Sequence, residues 1–183
     1  MTLLEEYGNI FADKYRDLPK AHCVSGDLKM GAGIAVQFDR KYHIKEKLRQ
    51  YWDLSCPMKA PACFRIDSIY NLVTKDHFYD KPTLSSMTDA IYDWKRLLIQ
   101  NHVKHIVIPE IGCGLDKLEW SDVKNILIQA FLGVDITITV VHYVSFKDDP
   151  IVKAHNADDA ITYFPEHQYT ITPKGDVSTN DQS

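Results

Sequence analysis

Two short glycine-rich stretches constrain this chain more than any other part of it. Lys29-Met30-Gly31-Ala32-Gly33 follows a strand-like run from Leu18 to Ser25, and Ile111-Gly112-Cys113-Gly114-Leu115-Asp116 follows the apolar run from His105 to Pro109. A continuous apolar strand of the second kind suits a sheet buried on both faces, which requires helices above and below it. The intervening segments supply them. Ile34 to Tyr42 and Ile44 to Trp52 read as helices, and Phe64-Arg65-Ile66 and Ile69 to Val73 as two strands about a turn at Asp67-Ser68. Leu84, Met87, Ile91, Trp94 and Leu98 recur at steps of three and four, so a helix is expected from Pro82 to about Gln100. Trp120, Val123, Leu127 and Ala130 outline another, with Ser121 as its N-cap, and the β-branched run from Ile136 to Tyr143 closes the series as a strand. Alternation of this kind is the signature of an α/β layered fold.

Composition narrows the function classes. The 183 residues carry 21 basic and 25 acidic side chains, a net charge of −4. That excludes the broad cationic field of a dedicated duplex-binding protein, and no extended nucleic-acid surface is expected, although a local basic patch is permitted. No run approaches the roughly eighteen apolar residues of a membrane span, and the start Met1-Thr2-Leu3-Leu4-Glu5-Glu6 lacks the basic opening of a signal peptide. A cytoplasmic monomer with no membrane contact is the expectation (cytosolic, or nuclear in a eukaryote). Cys23, Cys56, Cys63 and Cys113 form no close pair, so they read as reduced thiols and not as a zinc site. No metal and no cofactor are expected. Beyond residue 144 the pattern fades, giving a domain over 1–144 and an extension over 145–183 whose last part, from Pro173, reads as disordered.

The two loops carry the chemistry. In open α/β sheets the carboxyl ends of the strands border the ligand crevice, and both loops leave such ends. Glycine lets the backbone approach a ligand closely and turns amide hydrogens toward it, which suits a phosphate. Two such loops facing one another would suit a diphosphate with a sugar on each side. Neither loop is a P-loop, since G-x-x-x-x-G-K-[ST] is absent, and Gly31-Ala32-Gly33 lacks the third glycine of a dinucleotide fingerprint.

At this level of detail the chain resembles a known family. Ala21-His22-Cys23-Val24-Ser25 followed by Met30-Gly31-Ala32-Gly33-Ile34-Ala35-Val36-Gln37-Phe38 is similar to the first substrate loop of macrodomains. Leu72-Val73-Thr74-Lys75 with Lys81-Pro82-Thr83, and Pro109-Glu110-Ile111-Gly112-Cys113-Gly114-Leu115-Asp116, resemble one subclass, the terminal ADP-ribose protein glycohydrolase-like (ALC1-like) macrodomains. The resemblance runs over about residues 7–143. It implies a three-layer α/β/α macrodomain with a mixed central sheet that binds ADP-ribose or an ADP-ribosylated substrate. By matched position, Gly31, Gly33, Ile34 and Ala35 would lie beside the diphosphate and distal ribose, and Ile111, Gly112, Cys113, Gly114 and Leu115 opposite them. Ser25, Thr74 and Ile10 would line the pocket, with Tyr143 against the adenine.

In that subclass the lysine matching Lys75 attacks the distal ribose and the aspartate matching Asp116 assists. An ordinary lysine amine, with a pKa near 10.4, is neutral in roughly one molecule in two thousand at pH 7, so a nearby base would have work to do. The sequence departs from the family at Tyr7-Gly8-Asn9, where Asn9 stands for an acid that receives the adenine amino group, and the stretch ahead of it is short for the family's first strand. His22 reads as a core histidine satisfied by backbone groups. Cys113 reads as a small packing residue, although loop amides could lower its pKa. The resemblance implies a hydrolase releasing ADP-ribose from ester-linked acidic residues or related adducts. The alternatives are a phosphatase acting on ADP-ribose 1″-phosphate and a non-catalytic reader or sponge of ADP-ribose or a cyclic relative.

Overall fold

The structure, a computed structural model, describes residues 1–144 together with two short strands at 169–171 and 177–179. One sheet of eight strands runs through it, in the order β3-β4-β2-β5-β6-β1-β7-β8. The five central strands, β4 (Ile69–Lys75), β2 (Lys20–Ser25), β5 (His105–Ile108), β6 (Thr137–Tyr143) and β1 (Thr2–Gly8), are mutually parallel. The outer strands β3 (Ala62–Ile66), β7 (Tyr169–Ile171) and β8 (Val177–Thr179) pair antiparallel to their neighbours, so the sheet is mixed.

Side-chain alternation along these strands builds two cores, one on each face. Tyr70, Leu72, Ile106, Ile108, Ile138 and Val140 face α3 (Leu84–Gln100) and α4 (Trp120–Ala130), meeting Met87, Ile91, Trp94, Leu98, Val123 and Leu127. Ile69, Val73, Val107 and Val141 face the other way, toward Phe38 of α1 (Gly33–Tyr42) and Ile44 and Leu48 of α2 (Ile44–Leu48). Helices on both faces of a mixed sheet make the three-layer α/β/α architecture that the family resemblance implied. Among the described residues no helix is long and apolar enough to cross a membrane.

Several boundaries differ from the sequence expectation. β1 forms over its full seven residues because it pairs with β6 along its whole length, from Thr2↔Thr137 to Gly8↔Tyr143. The second helix stops at Leu48 instead of Trp52: the Tyr51 and Trp52 amides both turn back to the Leu48 carbonyl, and the Trp52 indole N–H donates to the Cys56 carbonyl. α4 starts two residues early. Its N-cap is Glu119, not Ser121, and Trp120 is fixed there by donating its indole N–H to Glu5 Oε1 at 2.9 Å. α3 opens on a reciprocal cap in which Thr83 Oγ1 accepts from the Ser86 amide and Ser86 Oγ accepts from the Thr83 amide. In the C-terminal extension, Val177–Thr179 is a strand where disorder was expected; residues 145–168, 172–176 and 180–183 lie outside the described residues.

Candidate active site

All five parallel strands deliver their carboxyl ends to one side of the sheet, and there a cleft of about 1080 Å³ opens. Ser25 ends β2, Lys75 ends β4, Pro109 to Asp116 follow β5, Tyr143 ends β6, and Gly8 to Phe11 follow β1; every one of these segments contributes to the cleft wall. Gly31, Gly33, Ile34 and Ala35 form one bank and Ile111, Gly112, Cys113, Gly114 and Leu115 the other. The banks touch: a β-carbon placed on Gly33 would sit 3.1 Å from Leu115 Cδ1. Asn9, Ile10 and Tyr143 line the same cleft, Tyr143 with 79% of its surface open.

The glycines have different reasons to be there. Gly112 has φ +75°, in the left-handed region, and a β-carbon on it would lie 2.4 Å from Met87 Cε, so this glycine lets the loop settle on α3. Nothing lies within 4 Å of a β-carbon placed on Gly31 or Gly114, which therefore border open cleft. Gly26, which carries no signature in the sequence, has the least room. Its β-carbon would fall 1.9 Å from the Met58 carbonyl oxygen, where the 49–61 loop crosses the end of β2. Only tertiary contact reveals that constraint.

At the floor, Lys75 Nζ donates to Asp116 Oδ1 at 2.5 Å, although the two are 41 positions apart in the chain. Both side chains are 14% exposed. Strand β4 brings one partner and the second glycine loop the other. Neighbours on a strand point to opposite faces, so with Lys75 turned to the cleft, Thr74 is turned inward. Thr74 does not line the cleft, contrary to expectation; it is buried, and its hydroxyl has no hydrogen-bond partner among the described residues.

Ser25 Oγ donates to Asp27 Oδ1 at 2.6 Å, and Asp27 Oδ2 accepts the Phe78 amide at 2.9 Å. Burial pushes the Asp27 carboxyl up, but the Ser25 hydroxyl and the Phe78 and Lys29 amides outweigh it and hold it below the usual carboxylate range. Asp27 thereby ties the first glycine loop to the loop after Lys75. Asn9 Oδ1 accepts the Phe11 amide at 2.9 Å, which shapes the turn after β1. Beyond it, His142 lies between Glu110 and Glu5 with one ring nitrogen against each, stacked on Tyr7 at 4.9 Å; Lys124 donates to the same Glu5. Asp27 and the His142 cluster carried no motif, so their contribution appears only in three dimensions.

Two sequence expectations change. His22 Nε2 meets the Asn71 side-chain oxygen at 2.7 Å and not a backbone group, and its Nδ1 has no partner among the described residues. Because Asn71 Nδ2 is committed to the Phe64 and Ile69 carbonyls, its oxygen accepts and Nε2 carries the proton. Burial drives the His22 pKa down to about 4. For Cys113, burial, followed by Glu110 and Glu119, pushes the thiol up to about 12, the reverse of activation by loop amides. Burial raises Cys23 as well, helped by Asp116. Among the described residues no three His, Cys, Asp or Glu side chains gather closely enough to hold a metal ion.

No protein-family profile matches the chain. The chain is 36% identical over 135 residues to the human ADP-ribose glycohydrolase OARD1, covering 73% of this chain and 86% of that protein. The macrodomain of Thermus aquaticus DarG superposes with a TM-score of 0.63 at 20% identity, over 76% of this chain and 97% of that one. The chain belongs to the macrodomain family. A further solved structure, Thermosipho africanus DarTG in complex with ADP-ribose, shares the macrodomain architecture at a TM-score of 0.59 and 16% identity, covering 84% of this chain and 44% of that one. In this macrodomain, as the sequence reading expected, the cleft lies where parallel strands end and glycine loops face each other.

Proposed function

We propose that this macrodomain is an ADP-ribosyl hydrolase of the terminal ADP-ribose glycohydrolase type, releasing ADP-ribose from ester-linked acidic side chains. The observation that carries the reading is the Lys75–Asp116 contact at the cleft floor. An ammonium cannot attack carbon, and a carboxylate 2.5 Å away is in position to take its proton. As Asp116 accepts that proton, Lys75 Nζ bonds to the distal ribose C1″ and the acceptor carboxylate leaves with the C1″–O electron pair. The N–H proton of the resulting glycosylamine passes to the ring oxygen as the C1″–O4″ bond breaks, which gives a protonated Schiff base. Water adds at C1″, the C1″–N bond breaks as the water's proton moves to nitrogen, and Asp116 gives its proton to solvent, so free ADP-ribose departs with Lys75 and Asp116 restored.

The glycine banks supply the rest. Amides of Gly31, Gly33, Ile34 and Ala35 on one side and of Gly112 to Leu115 on the other suit the diphosphate, which accounts for a binder of a doubly charged ligand in a chain of net charge −4. Tyr143, Ile10 and Asn9 suit the adenine end, and Ser25, held by Asp27, the ribose end. The similarity to OARD1 supports the same reading.

The test uses an auto-modified ADP-ribosyl transferase as substrate, with borohydride present in a parallel reaction. Wild type should release ADP-ribose, and the reduced sample should gain the mass of an ADP-ribosyl adduct on Lys75. Lys75→Ala and Asp116→Asn should each lose at least about a hundredfold in rate while still binding ADP-ribose. Full activity in Lys75→Ala, with no trapped adduct, would refute the mechanism.

A further inference from the structure

The basic residues are unevenly placed. Between positions 40 and 49 the chain carries Arg40, Lys41, Lys45, Lys47 and Arg49 against Glu46 alone, in a protein whose net charge is −4. Lys45 pairs with Asp39 and Lys47 with Asp67. Arg40 and Arg49 are exposed and have no ion-pair partner among the described residues, and the same holds for Lys59 in the following loop. Just past Arg49, two rings are open to solvent, Tyr51 at 80% and Trp52 at 40%. The hydrogen bond from the Trp52 indole to the Cys56 carbonyl, 2.8 Å long, fixes its ring in place. Tyr51, Trp52, Met58, Lys59 and Arg65 border a groove of about 630 Å³.

Three hydrogen bonds join this region to the cleft. Lys45 Nζ donates to the Lys29 carbonyl in the first glycine loop at 3.1 Å. The Met58 amide donates to the Gly26 carbonyl at 2.8 Å, and the Ala60 amide to Asp76 Oδ1 at 2.9 Å, one residue from Lys75. Phe78 and Tyr79 line the same cleft, both exposed, edge to face at 5.3 Å.

Cations interleaved with fixed, solvent-facing rings hold single-stranded nucleic acid: phosphates by charge and bases by stacking. A duplex hides its base faces and would leave the rings unused. An acidic peptide would engage the cations and likewise leave Tyr51 and Trp52 without a role. We infer that α2 and the Arg49–Lys59 loop form a binding surface for single-stranded nucleic acid that adjoins the mouth of the cleft.

The test measures anisotropy of a labelled, unmodified strand of about 12 nucleotides. DNA and RNA form separate arms, beside the matching duplex and an acidic peptide of equal charge. Wild type should bind the single strand best, with an affinity that falls on a log–log salt plot with a slope of about −2, as contacts from roughly three cations require. Preference for DNA or RNA tells which strand is favoured, and either supports the inference. Arg49→Glu with Lys59→Glu should flatten the slope and weaken binding about tenfold or more. Tyr51→Ala with Trp52→Ala should weaken it by roughly fivefold or more with the slope unchanged. Both variants should keep the wild-type melting temperature and ADP-ribose affinity. Absence of strand binding, equal binding of the duplex or the peptide, or double variants that bind like wild type would overturn the inference. A protein that binds the strand but not ADP-ribose would instead overturn the hydrolase proposal and leave this surface standing.

Discussion

The glycines of the two banks can be separated by experiment into those that shape the fold and those that border the ligand. At Gly112 an alanine must adopt φ +75°, which costs about 1–2 kcal/mol for an L residue, and must push Met87 Cε out of a 2.4 Å contact. Overpacking of that kind adds roughly 1–3 kcal/mol, tempered by the flexibility of methionine. Gly112→Ala should therefore lose about 2–4 kcal/mol of stability, or about 5–15 °C of melting temperature for a chain of this size. At Gly31 and Gly114 the added methyl meets nothing, and neither backbone lies in the left-handed region. Alanine there restricts the unfolded chain and should leave the melting temperature unchanged or about 1–3 °C higher. Those same methyls project into open cleft, so ADP-ribose affinity should fall at least about tenfold, or about 1.4 kcal/mol. Thermal melts with and without ADP-ribose, together with calorimetric titration, separate the two effects. If Gly31→Ala and Gly114→Ala both bind ADP-ribose as tightly as wild type, the banks are not the diphosphate cradle.

Three other perturbations follow from the same geometry. His22 binds its proton near pH 6.5 when unfolded but only near pH 4 when folded, so the unfolded chain holds more protons between those values. Stability is full above about pH 6.5 and falls as the pH drops toward 4, by an amount on the order of 3 kcal/mol; denaturant titrations across that range should show the fall, and His22→Gln should flatten it. Asp27 titrates in the usual carboxylate direction: its lowered folded pKa stabilises above the unfolded value and is lost as the pH falls through the folded one. Asp27→Ala should cost about 1–3 kcal/mol and speed hydrogen exchange at the Phe78 amide, and unchanged exchange would show that the two loops are not tied there. Thr83→Ala should remove the α3 cap and lower the melting temperature by about 2–4 °C, equivalent to about 1 kcal/mol, while leaving ADP-ribose binding intact.

What the sequence made legible was whatever local periodicity or local chemistry encodes. The Met87–Leu98 stripe announced α3, and the run at Ile106–Ile108 announced a strand buried on both sides, because each is written in a spacing of a few residues. The glycine banks were visible for the same reason, and the family resemblance joined Lys75 to Asp116 across 41 positions. Contacts made between distant segments had no such signature. Gly26 is obligatory only because the Met58 carbonyl crosses it, and Asp27 matters only because Phe78 returns to it. Thr74 was misplaced for a simpler reason: adjacency to Lys75 in sequence means opposite faces on a strand. Ser121 was a chemically sound cap for α4, but the Trp120 anchor to Glu5 set the helix start instead.

The pairing of β1 with β6 has a consequence for how the protein is made. Thr2 lies opposite Thr137, so β1 leaves the ribosome well ahead of β6, its neighbour in the parallel set. At about 5–20 residues per second that delay is roughly 7–27 seconds. Glu5, which anchors Trp120, Lys124 and His142, rides on β1. The end of the cleft beside Tyr143 is thus assembled last, and a nascent chain cut short before β6 has no complete site in which to hold a ligand.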